Sequence, residues 1–173
     1  IIQVPVYVDR MRKGDIVPNA PFEIINETAN SVTVDGNWGF GFVMTERTMR
    51  ITIDKAKENN VAAATVAHQS HIGRLTDYSL MAAREGMIGL MTADSGRTTK
   101  HVAPFGGREP RLGTNPICMS LPSNLDAPVY FDFATSAVAA NKLKVASVRG
   151  QSVQEGLILD KDGNDSTDPN AYF

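Results

Sequence analysis

The sequence predicts an α/β domain, in which helices and buried strands alternate along the chain. Short apolar runs such as VAAATVA and VYFDF are typical of buried strands. Between them lie segments whose apolar residues recur at the spacing of an amphipathic helix. Alternation of these two kinds of segment is the pattern of an α/β fold.

Composition excludes several classes of protein. The chain has 173 residues and a formal net charge of −2, so it lacks the basic surface of a nucleic-acid-binding domain. No apolar stretch approaches the ~20 residues that a membrane-spanning helix needs. The single cysteine, Cys118, lies in the apolar run ICMSL and is predicted to be a buried small residue. With no signal peptide and no disulfide pair, we expect a cytoplasmic protein.

The first third of the chain is predicted to contain a short helix, a long loop and a hairpin. Residues 7–14 fit a helix that ends at a glycine. Prolines and asparagines make residues 15–31 a loop. In SVTVDGNWGFGFV, the pair Asp35-Gly36 stands between alternating residues, which predicts a β-hairpin.

Two helices and two strands are predicted in the middle of the chain. Residues 44–60 fit a helix with Thr45 as its N-cap. Residues 61–67 are too uniformly apolar for a surface helix and are predicted to be a buried strand. A second helix is predicted over residues 75–85, followed by a buried strand over residues 87–92.

The last third is predicted to begin with two strands, ICMSLP and VYFDF. Residues 135–149 fit a helix capped by Thr135 or Ser136 and closed by Gly150. LILDKDGNDSTDP is predicted to be a strand followed by a turn.

Residues 68–75, HQSHIGRL, place two histidines where a strand gives way to a helix. His71 follows the C-terminal end of the apolar strand, which is where open α/β sheets bind ligands. Gly73 permits close backbone approach, and the first amides of the next helix would face an anion such as a phosphate or carboxylate. A hydrogen-bonded structural histidine is the alternative. His68 and His71 could also hold a metal, although no third ligand stands at a recognisable spacing.

Two further segments are candidates for function. Residues 101–116, HVAPFGGREPRLGTNP, are too rich in Gly and Pro for a regular element and fit a shaped functional loop. Pro116 favours extended geometry at Asn115, which would aim the Thr114 hydroxyl out of a turn. In FDFATS, Asp132 ends a strand and can accept a hydrogen bond from a ribose hydroxyl, whereas helix capping is the simpler interpretation of the Thr-Ser pair.

The common nucleotide and hydrolase motifs are absent. GNWGFG lacks the spacing and the strand-to-helix context of the dinucleotide fingerprint, and no phosphate-binding loop of the G-x-x-x-x-G-K-[ST] type occurs. DKDGND lacks the Gly and Glu that an EF-hand needs at its sixth and twelfth positions. No G-x-S-x-G elbow is present, so nucleophilic hydrolysis has no support.

Taken together, these segments resemble one family. HIGRLTDYSLMAAREGMIGL, VAPFGGREPRLGTNP, FDFATSAVAANKLKVA and LDKDGNDSTDP are similar, in this order, to the malate/L-lactate dehydrogenase family. That family also includes sulfolactate and ureidoglycolate dehydrogenases and diketogulonate and cyclic-imine reductases. The resemblance covers nearly the whole chain, including PVYVDRMRKGDIVPNA. It implies a mixed sheet flanked by helices in a non-Rossmann, sulfolactate-dehydrogenase-like cofactor domain, NAD or NADP as cofactor, and a homodimer.

The resemblance also implies roles for particular residues. His71 matches the His of the family's His-x-Gly motif and would be catalytic, and Thr114 matches the substrate-side Thr of Gly-Thr-Asn-Pro. The residues that match cofactor-contacting positions are His71, Ile72, Gly73, Arg74, Leu75, Ser95, Asp132, Phe133 and Ala134. No metal ligand is implied.

The chain departs from the family's pattern in three places. The family's Ser-His-Gly, whose His is often taken as the proton donor, would precede Ile1, and Gln3 stands where a substrate-binding Arg is expected. The family's glycine- and lysine-rich segment would fall beyond Phe173. We therefore expect a fragment of a longer enzyme, with residues 1–31 on the substrate side and residues 32–173 forming the NAD(P)-binding domain. The expected activity is hydride transfer between nicotinamide and a small 2-hydroxy or 2-oxo acid. A non-catalytic nucleotide-binding fragment and a metal-dependent enzyme are the alternatives.

Overall fold

A computed structural model describes residues 3–94, 97 and 100–173, with the backbone alone at Gln3. The chain forms two compact units. The first comprises Ile1–Met91 and Cys118–Asp132, and the second Thr92–Ile117 and Phe133–Phe173. The division at residues 31 and 32 between a substrate-side segment and a cofactor domain concerns function and stays a prediction. None of the described helices is both long and apolar enough to span a bilayer.

The described residues contain four α-helices, eight strands and a 3₁₀ helix at Pro169–Tyr172. The α-helices are α1 (Gln3–Arg12), α2 (Gly41–Asn59), α3 (Thr76–Arg84) and α4 (Ala140–Val148). The strands are β1 (Glu23–Glu27), β2 (Ser31–Gly39), β3 (Ala63–Gln69), β4 (Gly89–Thr92), β5 (Ile117–Leu121), β6 (Val129–Phe133), β7 (Ile158–Leu159) and β8 (Asp165–Ser166).

The first sheet is mixed, as the family resemblance implies. Its strand order is β1-β2-β3, with β1 antiparallel and β3 parallel to β2. Alternate residues of β2 point toward α2, so Val32 and Val34 are buried at 2% and 0% exposure. Helix α2 packs against β2 and β3 and turns its own Met44 and Ile53 into the same core. The predicted arrangement of a mixed sheet flanked by helices is therefore confirmed.

The second sheet has the order β4-β5-β6, and β7 pairs with β8 in an antiparallel hairpin. Strand β5 packs its alternate residues inward, and Cys118 is fully buried, as predicted. Its thiol lies 3.0 Å from the Ser79 hydroxyl, which is also 2.7 Å from the Ser120 hydroxyl. A buried hydroxyl costs stability unless it is hydrogen-bonded, and these side chains satisfy one another.

The predicted hairpin at residues 31–43 is wrong. Residues 31–39 form the single strand β2, and its antiparallel partner is β1, which lies inside the predicted loop 15–31. An Asp-Gly pair is typical of a turn, but here its glycine, Gly36, is the first residue of a bulge in β2. Residues 36–38 of β2 lie opposite His68 alone, because Asp35 pairs with Ala67 and Gly39 with Gln69. Strand β1 escaped prediction because all five of its residues are exposed and show no alternation of burial.

Two other predictions are corrected. Strand β3 exists, but most of its residues are exposed rather than buried, because it lies at the edge of its sheet with β2 as its one neighbour among the described strands. Helix α4 begins at Ala140 instead of Thr135. The Thr135 hydroxyl does not cap a helix. It donates to the carbonyl oxygens of Thr114 and Asn115, which holds this segment outside the helix.

Candidate functional site

The candidate site is built around the turn that follows β3. The Ser70 amide donates to the Gly39 carbonyl at 3.1 Å, and the Gly41 amide donates to the Ser70 hydroxyl at 3.0 Å. The first amide of α2 is thus satisfied by the turn itself. A Cβ at position 41 would lie 2.7 Å from the His71 carbonyl oxygen and closer still to that of Ser70. Glycine at position 41 is therefore what allows the turn to rest on the start of α2.

His71 is exposed at the surface, and its ring is held on one side by aromatic residues. The Tyr7 hydroxyl, from α1, lies 2.8 Å from His71 Nδ1. Phe42 meets the imidazole edge-on at 6.0 Å between ring centroids and meets the Tyr7 ring in the same way at 6.0 Å. Among the described residues, none forms a hydrogen bond with His71 Nε2. The ring is fixed through Nδ1, and Nε2 is left for a ligand.

The protonation of this pair follows from its surroundings. Desolvation by the surrounding protein lowers the pKa of His71 from its ordinary value, and the positive charge of Arg10 acts in the same direction. Burial raises the pKa of Tyr7, against a smaller lowering by Arg10. Near neutral pH the phenol keeps its proton and the imidazole is neutral. We therefore assign the Tyr7 O–H as donor to Nδ1, which places the imidazole proton on Nε2.

The residues after His71 continue the turn into α3. Gly73 has φ +76°, and a Cβ there would lie 2.6 Å from the Phe42 ring, so both backbone conformation and space require glycine. The Ile72 carbonyl accepts a 2.5 Å hydrogen bond from the Tyr78 hydroxyl, whose pKa burial raises to about 12. These contacts hold the backbone of residues 71–73 in one conformation.

The two remaining residues of the predicted cofactor segment point in different directions. Arg74 is exposed and forms an ion pair with Asp77 in the first turn of α3. Leu75 is buried at 2% exposure, so its side chain belongs to the core. Whichever ligand contacts this segment would meet the Arg74 guanidinium and the backbone.

Asp132 lies at the amino end of α3. One carboxylate oxygen, Oδ2, accepts from the Thr76 amide at 3.0 Å and from the Thr76 hydroxyl at 2.7 Å. The sequence predicts an anion at this helix terminus, and in the structure a carboxylate of the chain itself occupies that place. Among the described residues, no hydrogen bond reaches the other oxygen, Oδ1, so it stays available to a ligand.

The other predicted positions lie in the second unit or outside the described residues. Thr114 accepts through its carbonyl oxygen from the Thr135 amide at 2.9 Å. The next residue, Asn115, has φ +42° instead of the expected extended geometry, and its Oδ1 is buried without a hydrogen-bond partner in the described part of the chain. Phe133 is half-exposed, and Ala134 follows it into the segment before α4. Ser95 and the side chain of Gln3 lie outside the described residues.

The two histidines of the HQSH segment have separate partners. His68 Nδ1 lies 2.8 Å from Asp35 Oδ2, whereas His71 is held by Tyr7. Across the described ranges, no group of three or more His, Cys, Asp or Glu side chains is arranged to hold a metal ion. The structure thus assigns each imidazole a hydrogen-bonding role of its own.

Comparison with known proteins decides the family. The model of the malate/L-lactate dehydrogenase family matches residues 1–173. The chain belongs to the malate/L-lactate dehydrogenase family. Its relatives in this family include the L-sulfolactate dehydrogenase of Methanothermobacter thermautotrophicus, which is 41% identical over 95% of the chain and 47% of the relative's length. The malate/(S)-sulfolactate dehydrogenase of Methanothermus fervidus is 39% identical over 96% of the chain and 48% of its own length.

Solved structures of the malate/L-lactate dehydrogenase family show the same fold. A malate dehydrogenase from Entamoeba histolytica superposes with a TM-score of 0.90 at 36% identity, over 97% of this chain and 45% of that one. The sulfolactate dehydrogenase of Methanocaldococcus jannaschii gives a TM-score of 0.86 at 32% identity, over 98% of this chain and 48% of that one. The chain spans about half the length of the relatives it matches.

Sequence reasoning missed several residues that shape the site. Tyr7 and Phe42 contact one side of the His71 ring, and Gly41 supports its turn. Tyr7 is 64 residues from His71 along the chain, and nothing in its local pattern distinguishes it from other helix residues. The glycines of GNWGFG did carry a signal. Glycines closely spaced before a helix indicate close backbone approach, although here the approaching chain is the protein's own turn and not a dinucleotide.

Proposed function

We propose that the full-length protein carrying this sequence is a nicotinamide-dependent oxidoreductase, which transfers a hydride between NAD or NADP and C2 of a small 2-hydroxy or 2-oxo acid. The observation that carries the proposal is the exposed His71 ring, fixed by Tyr7 at Nδ1 with Nε2 unbound, in a member of this family. We further propose that it acts as a cytoplasmic homodimer.

The proposed role of His71 is to hold the reacting oxygen. In the reductive direction the carbonyl carbon of the oxo acid would gain the hydride that the reduced nicotinamide gives up, and its oxygen would gain a proton from solvent, which gives the 2-hydroxy acid. The neutral ring donates its Nε2–H to that oxygen and stabilises the negative charge that develops there. Because Tyr7 donates to Nδ1, the imidazole cannot turn over to present the wrong nitrogen. Thr114 is proposed to contact the acid on the substrate side.

The residues present fit a nicotinamide cofactor. When bound, this cofactor supplies or accepts the hydride. His71, Ile72, Gly73, Arg74, Leu75, Ser95, Asp132, Phe133 and Ala134 are proposed to hold it. One atom supports the fit. Asp132 Oδ1 makes no hydrogen bond among the described residues and can accept from a ribose hydroxyl.

The test is a spectrophotometric assay of the full-length protein with NADH and NADPH separately, against pyruvate, oxaloacetate and sulfopyruvate. We expect loss of the reduced-nicotinamide absorbance with at least one combination. The same assay with a chelator tests the alternative of a metal-dependent enzyme. The same assay with the 173-residue chain alone tests the alternative of a non-catalytic nucleotide-binding fragment. Activity that a chelator abolishes would favour a metal-dependent enzyme. A full-length protein that binds the cofactor without oxidising it would favour a non-catalytic binding role.

Tyr7→Phe is expected to lower kcat from a few-fold to about tenfold, because it removes one neutral hydrogen bond worth about 0.5–1.5 kcal/mol from the histidine that holds the transition state. KM for the cofactor should change less than kcat. The matched control is Tyr172→Phe, which removes a phenol hydroxyl from the second unit. Unchanged turnover in Tyr7→Phe would show that the phenol does not position His71.

A further inference from the structure

The end of β3 and the facing bulge of β2 contain a cluster of unfavourable backbone conformations. Six described residues other than glycine have positive φ, and three of them lie here: Asn37 at +46°, Trp38 at +59° and His68 at +47°. Asn and His adopt this conformation more readily than most residues, but for a bulky residue such as Trp it is a real outlier. Backbone strain of this kind is unfavourable and persists only where surrounding contacts hold it.

One side chain forms hydrogen bonds to both parts of this cluster, the bulge of β2 and the end of β3. The Asp35 carboxylate accepts from the Asn37 amide at 2.7 Å through Oδ1 and bonds His68 Nδ1 at 2.8 Å through Oδ2. The Trp38 ring packs on His68 at 5.3 Å between ring centroids. The hydrogen bonds to Asn37 and His68 lower the pKa of Asp35, so the carboxylate is ionised at neutral pH. Asp35 therefore ties the strained bulge of β2 to the strained residue of β3.

The hydrogen bond between Asp35 and His68 lies immediately before the turn that carries His71. After His68, the Gln69 side chain accepts from the Thr45 hydroxyl at 2.9 Å, and Ser70 is bonded to Gly39 and Gly41. A Cβ at Gly36 would lie 3.0 Å from the His68 carbonyl oxygen, so the bulge is in close contact with the chain that it redirects. Bulges beside active sites commonly re-aim a side chain, and here the residue that follows the redirected segment is His71.

We propose that Asp35 and His68 are positioning residues for His71: their hydrogen bond holds the left-handed backbone at residue 68 that presents the His71 ring. Neither residue contacts the reacting atoms in this proposal, which rests on the proposed function for its kinetic consequence. If the backbone at residue 68 is no longer held in this conformation, the His71 imidazole becomes displaced or mobile. A displacement on the order of 1 Å can lower a rate by about 10²-fold.

Four variants of the full-length protein test the pair. Asp35→Ala and His68→Ala each remove the hydrogen bond, and we expect kcat to fall by about tenfold to hundredfold, with a smaller change in KM. Asp35→Asn keeps an acceptor for the Asn37 amide and an N–H for His68. His68→Asn tolerates positive φ and keeps an N–H donor. These two conservative variants are expected to restore most of the turnover, which a merely structural contribution of the side chains would not predict.

Asp160→Ala is the matched control. Asp160 also holds a turn through its carboxylate: one oxygen accepts from the backbone amides of Asp162 and Asn164, and the residue belongs to the second unit. We expect it to lower thermal stability to a similar degree while leaving kcat unchanged. Loss of turnover that parallels loss of stability across all the variants, with no recovery in Asp35→Asn or His68→Asn, would overturn the positioning role.

A second readout separates this inference from the proposed function. The ring nitrogen resonances of His71, observed after selective ¹⁵N-histidine labelling, should shift in Asp35→Ala and stay in place in Asp160→Ala. If the wild-type protein reduces no oxo acid but these resonances shift as expected, the proposed activity fails and the positioning role stands. If the resonances and kcat of Asp35→Ala match those of the wild type, the positioning role fails.

Discussion

Replacement of His71 by alanine in the full-length protein is expected to lower kcat by about 10²–10³-fold, the range lost when one hydrogen-bond donor to a developing oxyanion is removed. The imidazole is exposed and makes one hydrogen bond, so the free energy of unfolding should change by no more than about 1.5 kcal/mol. Steady-state kinetics and thermal unfolding of the same preparation measure both quantities. Glu155→Ala, which shortens an exposed side chain of the second unit outside the candidate segments, is the control and should keep full turnover. Equal turnover in the two variants would remove His71 from the mechanism.

The His71 substitution also has a pH signature that does not depend on activity. The pKa of His71 is lowered in the folded protein by desolvation and by Arg10, whereas in the unfolded chain it returns to about 6.5. Between these two values the unfolded state binds the proton and the folded state does not, so stability rises with pH through this window. The wild type should therefore lose more stability than His71→Ala as pH falls from about 6.5. Denaturant unfolding at several pH values measures the difference.

Replacement of Gly41 by alanine is expected to lower kcat by about 10²-fold, although the residue contacts no reacting atom. The added methyl would lie 2.7 Å from the His71 carbonyl oxygen and 2.8 Å from Ile72 Cγ2, with the Ser70 carbonyl closer still. Backbone atoms cannot yield as a flexible side chain does, so the whole turn must move away from α2 and take the imidazole with it.

Gly86→Ala provides the control for the Gly41 variant. Gly86 has φ +78°, and a Cβ there would meet nothing within 4 Å. Its substitution costs about 1–2 kcal/mol of backbone energy without moving His71. We expect both variants to lose stability and Gly41→Ala alone to lose turnover. Full turnover in Gly41→Ala would show that the turn accommodates the methyl group without displacing the His71 ring.

Local pattern was enough to find the helices and most strands, because these depend on residues close in sequence. The helical period of α2 and α3 and the apolar runs of β5 and β6 each predicted an element that the structure contains. The position of His71 after a strand and before a helix likewise predicted that it lies in the turn between them, whereas its role in a ligand site stays a prediction.

The contacts that complete the site could not be predicted in this way. Tyr7 and His71 are 64 residues apart, Thr76 and Asp132 are 56 apart, and Asp35 and His68 are 33 apart. Each pair depends on how the helices and strands pack together. The periodicity of apolar residues along the sequence carries no information about that packing. The bulge at residues 36–38 was missed for a related reason. An Asp-Gly pair permits a turn, but whether the chain reverses there depends on the strand that pairs with it.

The Asp132 carboxylate at the start of α3 has an electrostatic consequence for dinucleotide recognition. In doubly wound nucleotide-binding folds, a helix terminus of this kind is left open, and the diphosphate of the dinucleotide fills it. Here the partial positive charge of the helix is already compensated, so a diphosphate at this point would meet a carboxylate instead of free amides. The negative charge of a bound diphosphate would then have to be compensated by cationic side chains. Attraction between exposed charges weakens as ionic strength rises.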